Sequence, residues 1–458
     1  MISRDLPRIC VSAGSSGSGK TTFTCGLLRA LIRRNKVPAA FKCGPDYIDP
    51  MFHREVTGVH SAALDLFLCN KETVNRLLYE NACGDPRKDI AVLEGAMGFY
   101  DGLGGTTTKA SAWDIARATG TPVILVEDCR FLSVSLAARI KGLVSFRKQN
   151  LIRGVALNRI SPRRYPGMRS LIEEETGVPV LGFLPPEEDW LIPSRHLGLV
   201  TAGEIKNIRE TIDRIAAVLE QTVDLGAIEA VARSASPVSV EDEPGIAPVR
   251  ARKIRIGIAR DRAFCFYYED SLRLLKKLGA ELVPFSPLED SFPPGLDGLI
   301  LGGGYPELYA AGLSENTRLR GDIRDALLSG MPCIAECGGF MYLHEELIGK
   351  DGQGYPMVKA ISGSCRPMPR LVRFGYGSYT ARHDNLLCAA GDTIPGHEFH
   401  YWESDNPGTD FTGCKPVTGE TWPCINADGR LFAGFPHIHL YGKPAMARRF
   451  LERCAGGW

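Results

Sequence analysis

The chain has 458 residues, 44% of them apolar and 23% charged, with a formal net charge of +1. A chain of that length calls for two or three domains. The near-zero charge excludes a strong field for nucleic acid or an anionic membrane, so neither partner is expected.

Fourteen cysteines form no CxxC pair and no Cys/His cluster at zinc spacing. They suit small buried hydrophobes in a reducing cytosol rather than a disulfide framework or a zinc site. No charged stretch followed by a long apolar run stands near the first residue, and the apolar stretches are strand-length. Neither a signal peptide nor a transmembrane helix is expected, and the expected location is cytoplasmic.

In chain order, strands are predicted at Arg8–Ala13, Pro38–Lys42, Ile90–Glu94, Pro122–Glu127, Ile152–Asn158 and Val180–Leu184, with helical periodicity at Thr21–Arg34 and Ala110–Thr119. Alternation of this kind predicts a parallel α/β sheet with ligands at the carboxyl ends of its strands. The Ser-, Pro- and acid-rich stretch Ser234–Gly245 reads as a linker. The domain division expected is therefore 1–225, a linker over 226–250, and 251–458. Strands at Lys253–Ala259, Gly298–Leu301 and Pro332–Ala335, with a helix at Tyr268–Leu278, predict a second α/β domain.

The sharpest local signal is Gly14-Ser-Ser-Gly17-Ser-Gly19-Lys20-Thr21. It matches GxxxxGK[ST] between a strand and a helix, the context in which backbone amides cradle phosphate. Gly14, Gly17, Gly19, Lys20, Thr21 and Thr22 are thus candidates for nucleotide binding, with the Thr21 hydroxyl a ligand for Mg²⁺. Glu94 ends an apolar strand and Asp101 follows in a glycine-rich loop. Each acid alone could cap a turn; beside a phosphate loop, a strand-end carboxylate can hold a metal ion. The loop Gly44-Pro-Asp46-Tyr47-Ile48-Asp49 could close over substrate or metal, or simply be an Asp-stabilised turn.

Cys337 differs from the other cysteines. Ala335-Glu-Cys337-Gly338-Gly339 reads strand, sharp turn, helix, the geometry of a nucleophile elbow carrying sulfur, whose thiolate the helix start would favour. His437 in Phe435-Pro-His437-Ile-His439 is the candidate base, with His400 a rival better suited to a substrate-facing or structural role. Gly302-Gly303-Gly304, after a predicted strand, offers backbone amides for an oxyanion hole, to which Gly338 would contribute.

Taken together, Phe41-Lys-Cys-Gly-Pro-Asp-Tyr-Ile-Asp, Glu94-Gly-Ala-Met-Gly-Phe-Tyr-Asp-Gly, Gly302-Gly-Gly-Tyr-Pro-Glu-Leu and Ala335-Glu-Cys-Gly-Gly resemble the cobyrinate a,c-diamide synthase family. The resemblance runs from the phosphate loop to His-x-His near the end. It implies a dethiobiotin-synthetase-like ATPase domain followed by a class I glutamine amidotransferase-like domain. It also implies that ATP with Mg²⁺ phosphorylates acetate carboxylates of a tetrapyrrole (corrinoid) substrate, and that Cys337 releases ammonia from L-glutamine. Asp46, Tyr47, Ile48, Glu94 and Asp101 would serve synthesis, with Asp46 and Glu94 beside Thr21 at the metal. Asn158 matches a family segment near the adenine.

Two departures stand out. Class I amidotransferases commonly carry His-x-Glu, whereas His439 takes the acid's place here and leaves the third triad member unassigned. Cys43 replaces a small aliphatic residue and suggests no function. The same chemistry on nickel-sirohydrochlorin, toward coenzyme F430, is the nearest alternative. The Gly-Pro-Asp-Tyr-Ile-Asp loop and the His-x-His ending argue against the cobyric acid synthase group. Further readings are a nucleotide switch with a glutamine-sensing domain, or a ligase with an inert second domain.

Overall fold

Apolar runs without alternation, such as Ile90-Ala-Val-Leu93, suit strands covered on both faces, and every residue of that strand is buried. A computed structural model describes residues 2–187, 190, 194–195, 198–199, 205, 207–241, 247–249 and 253–456. The chain divides into two compact units, Met1–Glu243 and Pro244–Trp458.

The first unit runs β1 (Ile2–Arg4), β2 (Arg8–Ser12), α1 (Lys20–Arg33), β3 (Pro38–Cys43), α2 (Ile48–Thr57), β4 (Ala62–Leu64), α3 (Lys71–Ala82), β5 (Ile90–Glu94), α4 (Ala112–Thr119), β6 (Val123–Asp128), α5 (Val134–Phe146), β7 (Ile152–Asn158), α6 (Tyr165–Thr176), β8 (Val180–Leu184), β9 (Ser194–Arg195), β10 (Gly198–Leu199), α7 (Ile208–Thr222), α8 (Leu225–Arg233) and β11 (Val238–Val240). Seven strands form one sheet in the order β4-β3-β5-β2-β6-β7-β8, and every pairing in it is parallel. From β2 the chain crosses over β5 to β3, then returns to lie on the other side as β6. The strand order therefore reverses beside β2, and the crevice at its carboxyl end is where such sheets bind ligands. Helix α1 anchors that end of the sheet. Phe23, Leu27, Leu28 and Leu31, at helix positions i, i+4, i+5 and i+8, bury one face of it, each contributing about 1.5–3 kcal/mol by burial.

The segment expected to be a linker over 226–250 is folded in its first part. Helix α8 occupies Leu225–Arg233, and β11 pairs antiparallel with β1. Ile228, Ala232, Val238 and Val240 are buried. The Ser/Pro composition hid a short apolar alternation, Val238-Ser-Val240, that supplies one buried face. Residues 242–246 and 250–252, on which the linker and the start of the second domain also fall, lie outside the described residues.

The second unit runs β12 (Ile254–Ala259), β13 (Phe264–Phe266), α9 (Glu269–Lys277), β14 (Ala280–Phe285), β15 (Gly298–Leu301), β16 (Gly303–Gly304), α10 (Ala310–Glu315), α11 (Thr317–Leu328), β17 (Cys333–Glu336) and α12 (Gly338–Leu343), followed by a series of shorter strands and a closing helix at Ala445–Cys454. Its main sheet has the order β14-β12-β15-β17, then Leu431–Gly434, then Asn426–Ala427, with only the last strand antiparallel. Strands β15 and β17 lie side by side, so the loops after them, carrying the glycine run and Cys337, emerge at the same edge. A second, antiparallel sheet is built from Thr421–Cys424, Phe411–Cys414, Arg373–Ala381, Thr393–His400 and His437–Ile438. It presents His437 to the first sheet's carboxyl edge. Among the described residues no helix is long and apolar enough to cross a membrane.

Candidate functional site

A phosphate cradle needs backbone in conformations that side chains resist, and the loop after β2 meets that need with glycine. Gly19 has φ +92°, and a Cβ there would overlap the Asn158 side chain. Asn158, at the end of β7, donates from Nδ2 to the Ser18 carbonyl at 2.8 Å, so its side chain braces the loop itself. Gly14 donates from its amide to Glu127 Oε1 at 2.6 Å. Lys20 Nζ donates to the carbonyls of Ser15 at 3.1 Å and Met97 at 2.6 Å. Burial, reinforced by the Lys42 charge, lowers the Lys20 ammonium to about 8. Thr22 follows on α1, half-buried.

Around the loop lies a buried ionic cluster. Thr21 Oγ1 donates to Glu94 Oε1 at 2.6 Å. The same carboxylate oxygen accepts from Lys42 Nζ at 3.0 Å, while Glu94 Oε2 meets His53 Nε2 at 2.8 Å. Lys42 also donates to Asp49 and to the Gly95 carbonyl. His53 Nδ1 contacts Ser61 Oγ at 2.9 Å. Burial opposes the charge on Glu94, but Lys42, the His53 and Thr21 hydrogen bonds outweigh it and hold the carboxyl well below its usual range. Burial likewise opposes the charge on Lys42, and Asp49 and Glu94 overcome it, keeping the ammonium protonated well above its usual value. A buried charge is tolerated only with such pairing.

The other acids of the first unit have local work. Asp46 Oδ1 accepts from the amides of Ile48 at 2.8 Å and Asp49 at 3.2 Å, capping α2. Tyr47 is the residue before that helix and Ile48 its first, buried residue. Asp101 Oδ2 accepts from the Gly98 amide at 2.9 Å and closes the turn there. Asp46 lies close enough to act electrostatically on Lys42, so it belongs to the cluster, whereas Asp101 is engaged by the Gly98 amide.

The oxygen donors here suit a hard cation. Thr21 and Glu94 present one hydroxyl and one carboxylate, and Mg²⁺ takes one or two protein carboxylates together with phosphate oxygens and water. No group of three His, Cys, Asp or Glu side chains able to hold a metal occurs among the described residues, so an all-protein cage is not built.

In the second unit the turn after β17 places Cys337 at φ 48° and ψ −102°, a sparsely populated conformation for a residue with a side chain and the signature of an elbow. The buried His437 ring is hydrogen-bonded to Cys337. Gly303 packs so closely on that ring that a Cβ would overlap it, and a Cβ on Gly338 would lie 3.1 Å from the Gly304 amide nitrogen. The three expected oxyanion-hole glycines therefore gather around the Cys337–His437 pair. Glu336 Oε2 lies 3.5 Å from His437 Nδ1, and Glu336 Oε1 accepts from the Ile438 amide at 3.3 Å. Burial disfavours the imidazolium, but Cys337 and then Glu336 outweigh it and raise His437 to about 10.

Glu336 carries no motif of its own in the sequence; an acid directly before a strand-end nucleophile is its signal. His439 does not replace it. Its Nδ1 accepts from the Tyr441 amide at 3.3 Å, and burial lowers it to about 3. His400 is buried. It bridges Glu398 at 2.9 Å and the Trp402 carbonyl at 2.7 Å, stacked 3.9 Å from Phe435. Asp49 comes to the cluster from the loop that could close over substrate or metal, while Lys42 and His53 join it with no motif of their own; the sequence signal for Lys42 is a lysine inside an otherwise apolar strand. Cys43 is buried packing.

Residues 9–200 match the CobQ/CobB/MinD/ParA nucleotide binding domain, and residues 255–445 match the CobB/CobQ-like glutamine amidotransferase domain. The cobyrinate a,c-diamide synthase of Caldanaerobacter subterraneus subsp. tengcongensis is 38% identical over 98% of this chain and 98% of its own. That of Listeria innocua is 38% identical over 96% of this chain and 98% of its own, and that of a Synechococcus species 36% identical over 97% and 98%. With a nucleotide-binding unit and a glutamine amidotransferase unit in one chain, and identity at this level over nearly its whole length, the chain belongs to the cobyrinate a,c-diamide synthase family of glutamine-dependent carbon–nitrogen ligases.

Proposed function

We infer that this enzyme converts the a- and c-acetate carboxylates of cobyrinic acid into carboxamides, using ATP and L-glutamine, in the cytoplasm. The observation that carries the reading is the pairing in one chain of two complete constellations: the phosphate loop with its Thr21–Glu94 contact at 2.6 Å, and the Cys337–His437–Glu336 set. The names of the relatives supply the substrate.

In the second unit, Cys337 Sγ attacks the side-chain amide carbon of glutamine. The amides of Gly303, Gly304 and Gly338 stabilise the developing oxyanion. The His437 imidazolium gives its proton to the departing nitrogen, releasing ammonia and leaving a thioester that water hydrolyses to glutamate. Glu336 orients the ring and favours its charged form, the role that His-x-Glu fills elsewhere.

In the first unit, a substrate carboxylate oxygen attacks the γ-phosphorus of ATP, giving an acyl phosphate and ADP. Ammonia then attacks the acyl carbon and phosphate leaves. Activation is needed because a carboxylate oxygen is a poor leaving group. Gly14, Gly17, Gly19 and Thr22 line the phosphates, Lys20 meets their negative charge, and Asn158 holds the loop's curvature. Thr21 and Glu94, with Asp46 beside them, would hold Mg²⁺, which supplies charge neutralisation on the phosphates. Asp101, Tyr47 and Ile48 shape the loops that meet the substrate.

Mass spectrometry of products tests the reading. Purified protein with ATP, Mg²⁺ and glutamine is expected to replace OH by NH₂ twice on cobyrinic acid, a loss of about 1 Da for each exchange. Conversion of nickel-sirohydrochlorin alone would move the enzyme to the other tetrapyrrole and keep the mechanism.

A second expectation concerns Glu336. Glu336→Gln should lower kcat for glutamine hydrolysis roughly 10–100-fold with little change in KM. The carboxylate raises His437, so its removal lowers the imidazolium's pKa. The alkaline limb of the glutaminase profile, where the proton donor is lost, should move to lower pH. An unchanged profile would leave the ring without a third partner.

A further inference from the structure

A cavity of about 430 Å³ opens in the first unit, between the turn after β4 and the segment leading into α4. Both segments leave the carboxyl ends of their strands, the same edge of the sheet as the phosphate loop. The link to that loop is short and rigid. Phe99 donates its amide to the Ala13 carbonyl at 2.7 Å, and Trp113 donates to the Phe99 carbonyl at 2.9 Å. The cavity wall is therefore tied by two backbone hydrogen bonds to the strand end that leads into the phosphate loop.

The walls are of two kinds. Phe67, Leu103 and Trp113 give apolar and aromatic surface, while Thr108, Lys109 and Arg117 give donors. The guanidinium of Arg117 is held 5.0 Å over the Trp113 ring and donates to Asp114 Oδ1 at 2.9 Å, which leaves further N–H groups to offer. Lys109 is exposed. Against these two cations stands the one carboxylate of Asp114, so the cavity carries an excess of positive charge beside the apolar side chains of Phe67 and Leu103. That is the complement of a planar, apolar ring system bearing carboxylate arms.

We propose that this cavity binds one edge of the tetrapyrrole substrate, a deepening of the functional reading above. One edge of the macrocycle lies against Phe67 and Leu103, and its carboxylates pair with Lys109 and with the Arg117 guanidinium held over Trp113. The volume is in the range that encloses a drug-sized group, and a tetrapyrrole with its carboxylate arms is larger than that, so only an edge enters. The arms held there are not the ones amidated. By fixing them, the cavity selects which carboxylate is presented to the phosphate loop, and so contributes to the a,c specificity.

The test is kinetic and binding analysis of Lys109→Glu in the full-length enzyme. Lys109 is exposed, so the fold should survive, and glutamine hydrolysis by the second unit checks this. KM for the tetrapyrrole turned over, cobyrinic acid or nickel-sirohydrochlorin, should rise about tenfold. KM for ATP and for glutamine should stay within about twofold. Equilibrium dialysis with the coloured macrocycle alone should show the same loss, and Lys109→Arg should recover most of it. An unchanged KM and unchanged dialysis, in an enzyme that still amidates the macrocycle, would overturn the cavity assignment and leave the functional reading standing. Failure of the wild-type enzyme to amidate either tetrapyrrole would overturn the functional reading, and the cavity assignment with it.

Discussion

Alanine at Lys20 is expected to abolish amidated product, whether nitrogen comes from glutamine or from added ammonium salt, a fall of about a thousandfold or more. The ammonium of Lys20 crosses the loop to the Ser15 and Met97 carbonyls, spanning the space that the glycine backbone curls around. Removing it takes away a cation at the mouth of the loop that can meet charge developing on the phosphates as the carboxylate attacks, and Arg139 and Arg159, which contact Ser15 and Gly17, do not stand in its place on the helix. Fixed amides of the loop remain and keep some nucleotide affinity, so the loss should fall on kcat more than on ATP binding. Glutamine hydrolysis should persist, since Cys337, His437 and Glu336 all lie in the other unit. Product assays with both nitrogen sources, beside a glutaminase assay, read all three expectations. Normal amidation by this variant would remove the phosphate loop from the reaction.

Cys337→Ala should separate the two chemistries in the opposite way. Glutamine-driven synthesis should drop by about a thousandfold or more, because no thioester forms and ammonia is not released. Synthesis from added ammonium salt should continue near the wild-type rate at high pH, where free ammonia is abundant. The substitution keeps the Cβ and leaves the backbone conformation, φ 48° and ψ −102°, unchanged; it takes away one sulfur atom, so the fold should survive. Loss of synthesis from both nitrogen sources would mean that the synthetase unit depends on the state of the glutaminase unit.

The glycine-rich motifs were legible because their physics is local. In Gly14–Thr21 the need for φ values that only glycine adopts freely, the lysine and the hydroxyl all lie within one turn of chain. The parallel strands were legible for a similar reason. Runs such as Ile152–Asn158 are apolar on both faces through Val155, Ala156 and Leu157, and the observed strand has those bounds. The antiparallel sheet around His397 and His437 was not foreseen. Its strands mix glycine, aromatic and charged residues, as in Arg373-Phe-Gly-Tyr-Gly, and have no clean alternation. Helix α8 and strand β11 fall on the stretch expected as a linker because a short alternation, Val238-Ser-Val240, is enough to pair with β1 despite the Ser- and Pro-rich composition.

The sequence by itself determined the two α/β units, the phosphate loop, the cysteine elbow and the family. Each of these is written in contiguous residues or in their order. Only the tertiary structure decided which charges meet. Glu336 reaches His437, about a hundred residues away, because β17 pairs with Leu431–Gly434, setting Glu336 opposite Gly434, and because His437 is then aligned with His397 in the second sheet. Lys42, His53, Asp49 and Glu94 meet because β3 and β5 pair in register with Lys42 opposite Glu94, while α2 brings Asp49 and His53 over the strand end. Strand pairing converts distance in sequence into contact within a few ångströms, and a buried charge must find its partner there or remain uncompensated.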